Sequence, residues 1–405
     1  MSDERRLTPT AMVAGGTALA RDDTGRVVFV EGALPGESVR ARVTDTRADF
    51  ARAVAIEILQ PSPDRVLPRC PALAAGCGGC SWQHIAPEAQ MRFKVGIVVD
   101  ALRRIGRLRE PPEPLIVPLD GPPGRTTARL AVSAEGRAGY RPRRGTGMVV
   151  ETNSCLAAHP LVEELITAGR YPGSVEVLLR AGVASGERLV RTSPAGAAAR
   201  VQVPPGVVVV GEGERAWVHE TVAGRRLRVS ADSFFQPGPA AAGALVAAVA
   251  GAVGLTGAGG HLVDAYAGVG LFASVLGARL GVRVTAIESN RSAVADARVN
   301  LADVDARVVT LDVAPWHPQR AGRPVDVVIA DPPRPGLGRP GVAAVVAARA
   351  PRVVVVNCDP ASLGRDSALL GQAGYQLASV AVVDAFPHTF HVETVSRFDR
   401  PGGEG

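Results

Sequence analysis

The segment His261-Leu-Val-Asp-Ala-Tyr-Ala-Gly-Val-Gly270 decides the fold. It begins as a short apolar run that ends on a carboxylate. The glycines that follow let the backbone turn tightly into the apolar stretch from Leu271;. Similar runs recur at Arg283-Val-Thr-Ala-Ile, Ala306-Arg-Val-Val-Thr-Leu, Val325-Asp-Val-Val-Ile-Ala and Arg352-Val-Val-Val-Val. Strands this rich in β-branched residues, without polar alternation, are buried on both faces. Alternating with helices, they predict a doubly wound, Rossmann-like α/β domain with a parallel sheet over residues 236–405.

Upstream the pattern changes. Gly25-Arg-Val-Val-Phe-Val-Glu and Glu37-Ser-Val-Arg-Ala-Arg-Val are separated by the turn Gly32-Ala-Leu-Pro-Gly, and Phe50 to Ile58 adds another apolar strand. Short strands at this spacing predict a small β-barrel of the oligonucleotide-binding kind over residues 1–60, serving RNA binding or acting as a structural appendage. Residues 61–235 form a mixed α+β region with four of the five cysteines. Its helix candidate, Pro87 to Arg107, carries Val95, Val98, Val99, Leu102 and Ile105 at helical spacing;.

Composition sets the class. The net charge is +6, and Lys94 is the only lysine among 45 basic residues. A GC-rich genome explains the arginines, and the balance also suits a polyanionic partner. The charged N-terminus lacks a signal-peptide core, and Ala240 to Leu255 is too short and too often broken by glycine to span a bilayer;. An odd cysteine count argues against a secreted disulfide framework. The expectation is a cytoplasmic monomer with no membrane association and no obligate protein partner.

Carboxylates recur where the strands end. Asp264 opens the glycine turn, Glu288 is placed to hold two ribose hydroxyls, Asp312 follows the third strand, and Asp331-Pro-Pro-Arg the fourth;. The glycines, Gly268 among them, let the backbone approach a ligand. Ala273 occupies a position where nicotinamide sites carry glycine or alanine, so that motif leaves a dinucleotide open. The series of acids favours S-adenosylmethionine. Cys358 follows a buried strand and Asn357, at the edge facing this crevice, where a lone thiol is either a small hydrophobe or a nucleophile. Glu393 closes Asp384-Ala-Phe-Pro-His-Thr-Phe-His-Val-Glu393. A thiolate adding to carbon 6 of uracil makes carbon 5 nucleophilic, and a base must then remove the carbon 5 proton. Cys358 and Glu393 suit those roles.

Cys70, Cys77, Cys80 and Cys155 supply the four thiols that a structural zinc or an iron–sulfur cluster requires, and spacing alone leaves zinc, cluster and free thiols open;. Arg125, Arg129, Arg141, Arg143 and Arg144 are candidates for phosphate contacts. His388 and His391 are placed to meet substrate or to stabilise their turn;.

Taken in order, Phe29-Val-Glu-Gly-Ala-Leu-Pro-Gly-Glu, Cys70-x6-Cys77-Gly-Gly-Cys80-x2-Gln83-His84, Ser233-Phe-Phe-Gln236, Asp264-x-Tyr-Ala-Gly-x-Gly, Asp331-Pro-Pro-Arg, Asn357-Cys358-Asp-Pro and Asp384-x-Phe-Pro-x-Thr-x-His-Val-Glu393 resemble the RNA uracil-5-methyltransferase family over nearly the whole chain. The resemblance implies a TRAM-like N-terminal barrel, a class I methyltransferase domain, and a uridine in RNA as substrate, ribosomal rather than transfer RNA. It implies Cys358 as nucleophile and Glu393 as proton acceptor. It implies Gln236, Tyr266, Gly268, Glu288, Asp312 and Asp331 as cofactor contacts, and a 4Fe-4S cluster on Cys70, Cys77, Cys80 and Cys155, with zinc as the alternative. Pro237-Gly238 stand where many relatives carry asparagine and Leu271 where some do, and the gap between Cys70 and Cys77 is one residue longer than the family pattern. A transfer-RNA uracil methyltransferase, an RNA cytosine-5-methyltransferase and a non-catalytic RNA-binding protein or chaperone share parts of this pattern.

Overall fold

A computed structural model describes residues 3–121, 124–143, 148–255, 259–318 and 324–402, so the phosphate candidate Arg144 lies outside the described residues. The N-terminal strands Glu4–Leu7, Ala11–Met12, Ala18–Arg21, Val27–Glu31, Ser38–Thr46 and Phe50–Gln60 form one six-stranded sheet. Its spatial order is first, fifth, sixth, fourth, third, second. Period-two alternation sends Val28, Val30, Val39, Ala41, Ala51 and Ala53 to one face;. Leu7 and Met12, from the two edge strands, join that same core, so the sheet rolls around it. The core is completed by Trp82, Ile85, Ala89 and Ile97 from the next segment.

The segment 61–235 does not fold as one unit. Its helix, Pro87–Arg104, ends earlier than the apolar spacing suggests and buries two faces. Ala89 and Ile97 face the rolled sheet, whereas Val98 and Leu102 pack with Leu363, Val380, Val382 and Val392 of the α/β domain. Strand Leu115–Val117 then joins the far edge of the large sheet, parallel to Gln376–Val383. A separate six-stranded sheet contains Thr127–Val132, Glu176–Ala181 and Arg188–Ser193, with helix Pro160–Ala168 packed on it through Val162, Leu165 and Ile166, and the hairpin Trp217–Val222 with Arg225–Ser230 forms a two-stranded sheet packed on the α/β core.

The large sheet has eight strands in the order Ala306–Thr310, Arg283–Glu288, His261–Ala265, Val327–Ala330, Arg352–Asn357, Glu393–Asp399, Gln376–Val383, Leu115–Val117. Only Glu393–Asp399 runs antiparallel to its neighbours. Alternate residues of the central strands feed opposite cores. Leu262, Val284, Val327, Ile329 and Val354 pack under helices Pro239–Val253, Leu271–Leu280 and Arg291–Asn300. Val263, Ile287, Val328, Val353 and Val355 pack with Val342, Val345 and Leu370 from helices Gly338–Ala347 and Pro360–Gln372. Two buried faces account for the uninterrupted apolar runs. The run from Ala240 is the buried helix Pro239–Val253, and no helix among the described residues is long and apolar enough to cross a membrane.

Candidate active site

Strand order reverses between His261–Ala265 and Val327–Ala330, because the chain leaves the first of these toward Arg283–Glu288 and returns on its other side. Such a switch opens a crevice at the carboxyl ends of the strands. Around it the backbone is unusual. Tyr266, Gly268 and Gly270 have φ of 63°, 56° and 86°. A side chain at Gly268 would meet nothing within 4 Å, so the turn faces open space.

Two carboxylates hold this turn. Asp264, fully buried, accepts the Ala273 N–H at 2.9 Å, while its Oδ1 is buried without a hydrogen-bond partner among the described residues. Burial first, then the nearby Asp331 and Glu288 charges, push its carboxyl up to about 8. Glu288 accepts the Gly268 N–H at 2.9 Å through Oε2 and the Asn290 N–H at 2.7 Å through Oε1. Each Glu288 oxygen keeps a lone pair. Gln236 donates to Asp331 Oδ2 at 3.1 Å, against the burial that pushes Asp331 up to about 7. Tyr266 is half-buried and Asp312 exposed. An orphaned acceptor, an open glycine turn and a strand-end carboxylate fit an adenosine-bearing cofactor with a positively charged tail.

Further along the same edge the register of two strands brings together distant residues. Asn357 pairs with Thr394, so Cys358 and Glu393 flank that pair side by side, and Glu393 also pairs with Val383. Glu393 is 5% exposed, and burial followed by the Asp331 charge raises its carboxyl well above the ordinary range. Burial and then the Glu393 charge push the Cys358 thiol up to about 11. Arg334 opposes both shifts. Its Nη2 donates to His391 Nε2 at 3.2 Å, and burial with the Arg334 charge pushes that imidazole down to about 4. Arg334 stands inside the Asp331-Pro-Pro-Arg motif, and its role was not read from sequence. Asp366 was also missed: it is buried and accepts the Leu337 and Gly338 N–H groups at 2.9 and 3.0 Å and Asn357 Nδ2 at 3.2 Å, fixing the strand end before Cys358. No sequence pattern marks it.

Cys70, Cys77 and Cys80 lie on one loop and Cys155 reaches them from the central sheet. Cys77 is influenced by Cys80 and Cys70, and Cys155 by Cys80 and Cys77. Gly78 passes so close to Arg141 O that an added Cβ would lie 2.7 Å from it. Among the described residues no three His, Cys, Asp or Glu side chains are gathered so as to hold one metal ion. Zinc needs its sulfurs about 2.3 Å from a single centre, a convergence not present among the described residues. A cubane spreads its thiolates more widely, since each binds a different iron, and the donor set is chemically right for that group.

Of the phosphate candidates, Arg129 pairs with Glu176 at 2.6 Å and Arg143 with Glu31 at 3.5 Å. Arg125 lies over the Phe386 ring, 5.9 Å from its centroid, and Arg141 is exposed. His388 is held by residues outside its own turn: its N–H goes to Gln90 Oε1 at 2.7 Å, and its O accepts from the Ser81 and Trp82 N–H groups.

Comparison with known proteins gives four relations. A TRAM domain matches residues 12–56. The chain is 38% identical to an uncharacterized RNA methyltransferase of Streptomyces coelicolor, covering 100% of this chain and 94% of that one. It is 34% identical to a 23S rRNA (uracil(1939)-C(5))-methyltransferase of Alkalilimnicola ehrlichii, over 96% of this chain and 95% of that one. A solved tRNA (uracil-54, C5)-methyltransferase of Pyrococcus abyssi, in complex with S-adenosyl-L-homocysteine, shares the fold, with a TM-score of 0.73 over 97% of this chain and 100% of that one at 23% identity.

The raised thiol has a measurable signature. With its value near 11, Cys358 is mostly protonated at neutral pH, and only the thiolate is alkylated. Modification by iodoacetamide, followed by peptide mass spectrometry, should accelerate about tenfold per pH unit up to that value. Arg334→Ala should slow it at every pH below that. A plateau already reached below pH 9 would contradict the buried, acid-flanked environment.

Proposed function

Because the chain belongs to the RNA methyltransferase family, we propose that it transfers a methyl group from S-adenosyl-L-methionine to carbon 5 of a uridine in RNA through a covalent bond to Cys358. The observation that carries this reading is the strand register that sets Cys358 beside Glu393 at the crevice edge. The likeness to a 23S rRNA uracil methyltransferase over nearly its whole length favours ribosomal RNA as substrate.

Gln236, Tyr266, Gly268, Glu288, Asp312 and Asp331 would hold the cofactor. Glu288 would offer its free lone pairs to the ribose hydroxyls. When bound, the cofactor supplies an electrophilic methyl on a sulfonium, whose positive charge favours the ionised forms of Cys358, Asp331 and Glu393. The target uracil must leave its stack to reach this edge. Cys358 gives its proton to solvent and its thiolate sulfur adds to carbon 6, and the electron pair of the 5,6 double bond moves into an enolate. Carbon 5 takes the methyl group as the methyl–sulfur bond breaks, its electron pair staying on the sulfur, which leaves as the neutral thioether of S-adenosyl-L-homocysteine. Glu393, as carboxylate, removes the carbon 5 proton; the electron pair re-forms the double bond and the carbon–sulfur bond breaks, returning the thiolate. Arg334 favours both anions that this sequence needs.

At Cys70, Cys77, Cys80 and Cys155 we place a 4Fe-4S cluster that fastens the 70–80 loop to the central sheet. Methyl transfer moves no single electron, so the cluster's part is structural. Anaerobically purified protein should hold about four iron atoms per chain. One tightly bound zinc and no iron would overturn that assignment.

The two catalytic groups act at different times, and this separates them by experiment. With a radiolabelled methyl donor and an unmodified 23S rRNA transcript, Glu393→Gln should form the adduct, transfer the methyl and stall, giving a labelled, slow-migrating species on a denaturing gel. Loss of a general base slows the last step by about two to four decades. Cys358→Ala should give neither product nor adduct. Wild-type turnover by Cys358→Ala would rule out covalent catalysis.

A further inference from the structure

The turn that leads into Glu393 carries a conformation that needs outside support. His388 has φ of 63°, in the left-handed region. A non-glycine residue stays there only where its surroundings over-determine it. Those surroundings are one face of helix Pro87–Arg104. Gln90 and Lys94, one helical turn apart, are 1% and 0% exposed;. Lys94 Nζ donates to Asp384 Oδ1 at 2.6 Å and to Phe386 O at 3.0 Å. Gln90 Oε1 accepts the His388 N–H at 2.7 Å, and its Nε2 donates to Ile85 O at 2.8 Å and Trp82 O at 3.2 Å. From the other side, the Ser81 and Trp82 N–H groups donate to His388 O at 2.9 and 2.8 Å. The turn is therefore pinned at 384, 386 and 388, just before His391 and Glu393.

Lys94 is an exacting anchor. A buried ammonium is tolerable only while its partners stay in place, so any outward shift of the turn strands the charge. It is also the only lysine in a chain where arginine otherwise fills the basic positions. A planar guanidinium with five donors does not fit a closed pocket with two acceptors. Gln90 and Lys94 touch neither the crevice nor Cys358, so the proposed reaction does not account for them.

We infer that Lys94 and Gln90 are positioning residues for the proton-accepting step, fixing the turn that sets Glu393 against carbon 5 of the substrate. The inference rests on the proposed role of Glu393. Ser81 and Trp82 directly follow Cys80, so the order of the cysteine loop reaches the same turn.

The test uses the full chain with Lys94→Met, and Lys94→Arg as a second variant that keeps the charge. Both should melt cooperatively. On an unmodified 23S rRNA transcript, kcat should fall on the order of tenfold to a hundredfold, the scale of a small misplacement near reacting atoms. KM for S-adenosylmethionine should stay within about twofold, because the cofactor turn is untouched. A transcript containing 5-fluorouridine adds a readout that general damage would not spare. Fluorine at carbon 5 cannot leave as a proton, so trapping needs only thiolate addition and methyl transfer, and the variants should trap it at the wild-type yield. Hydrogen exchange should quicken in 384–391 and remain unchanged in 261–288. An unaltered kcat in both variants, or turnover and trapping lost in equal proportion, would overturn the inference. If wild-type protein fails to methylate the transcript, the functional reading fails instead. Exchange then decides alone, and unchanged protection of 384–391 in Lys94→Met overturns the positioning role.

Discussion

The antiparallel ladder between Arg352–Asn357 and Glu393–Asp399 pairs Asn357 with Thr394, and the chemistry proposed at the sheet edge depends on that register. Side chains alternate along a strand, so a slip of one residue would turn Glu393 to the opposite face and leave Cys358 without its neighbour. The register is held from both sides, because Glu393 also pairs with Val383 and Asn357 O accepts the Thr394 hydroxyl at 3.1 Å. The same packing that fixes the geometry sets the electrostatics. Both groups are driven toward their neutral forms by burial, and Arg334 is the cation that opposes this for each of them.

Three buried or half-buried acids, Asp264, Asp331 and Glu393, therefore stand around one crevice in a protein whose net charge is positive. Their raised values express an unmet demand for positive charge. An anionic ligand in this crevice would add repulsion, whereas a cationic one relieves it. The arginine-rich exterior, attractive to a polyanion, and the acidic crevice, attractive to a cation, divide the two halves of one reaction between surface and interior.

Much of the α/β domain was legible because its strands are buried on two faces. Val327–Ala330 is wholly apolar and Arg352–Asn357 carries four valines in a row, while the fully buried Asp264 of His261–Ala265 stands one residue before its strand ends. Leu115–Val117 left no such trace. It is an edge strand, with Leu115 and Ile116 exposed, and only the partner strand reveals it. The helix Pro87–Arg104 hid its purpose for a different reason. Its two apolar faces serve two cores, and the helical spacing of Val95, Val98 and Leu102 marks one of them while Ala89 and Ile97, which face the other, stand outside it. Lys94 stood out by composition as the only lysine, yet nothing in the sequence tied it to Asp384. Cys358 and Glu393 could be nominated by chemistry, but their adjacency depends on strand register, which no spacing encodes. The four cysteines could be counted, and whether their sulfurs converge on one ion could not.

Removal of the carbon 5 proton distinguishes this account from methylation at a nitrogen, at the ribose or at another carbon. The direct measurement uses a 23S rRNA transcript labelled with tritium at carbon 5 of its uridines, together with a methyl donor carrying carbon-14. If Cys358 activates carbon 5 and Glu393 takes its proton, tritium appears in water in equal amount to the methyl groups entering the RNA. Methyl incorporation with the tritium retained in the RNA would contradict the account.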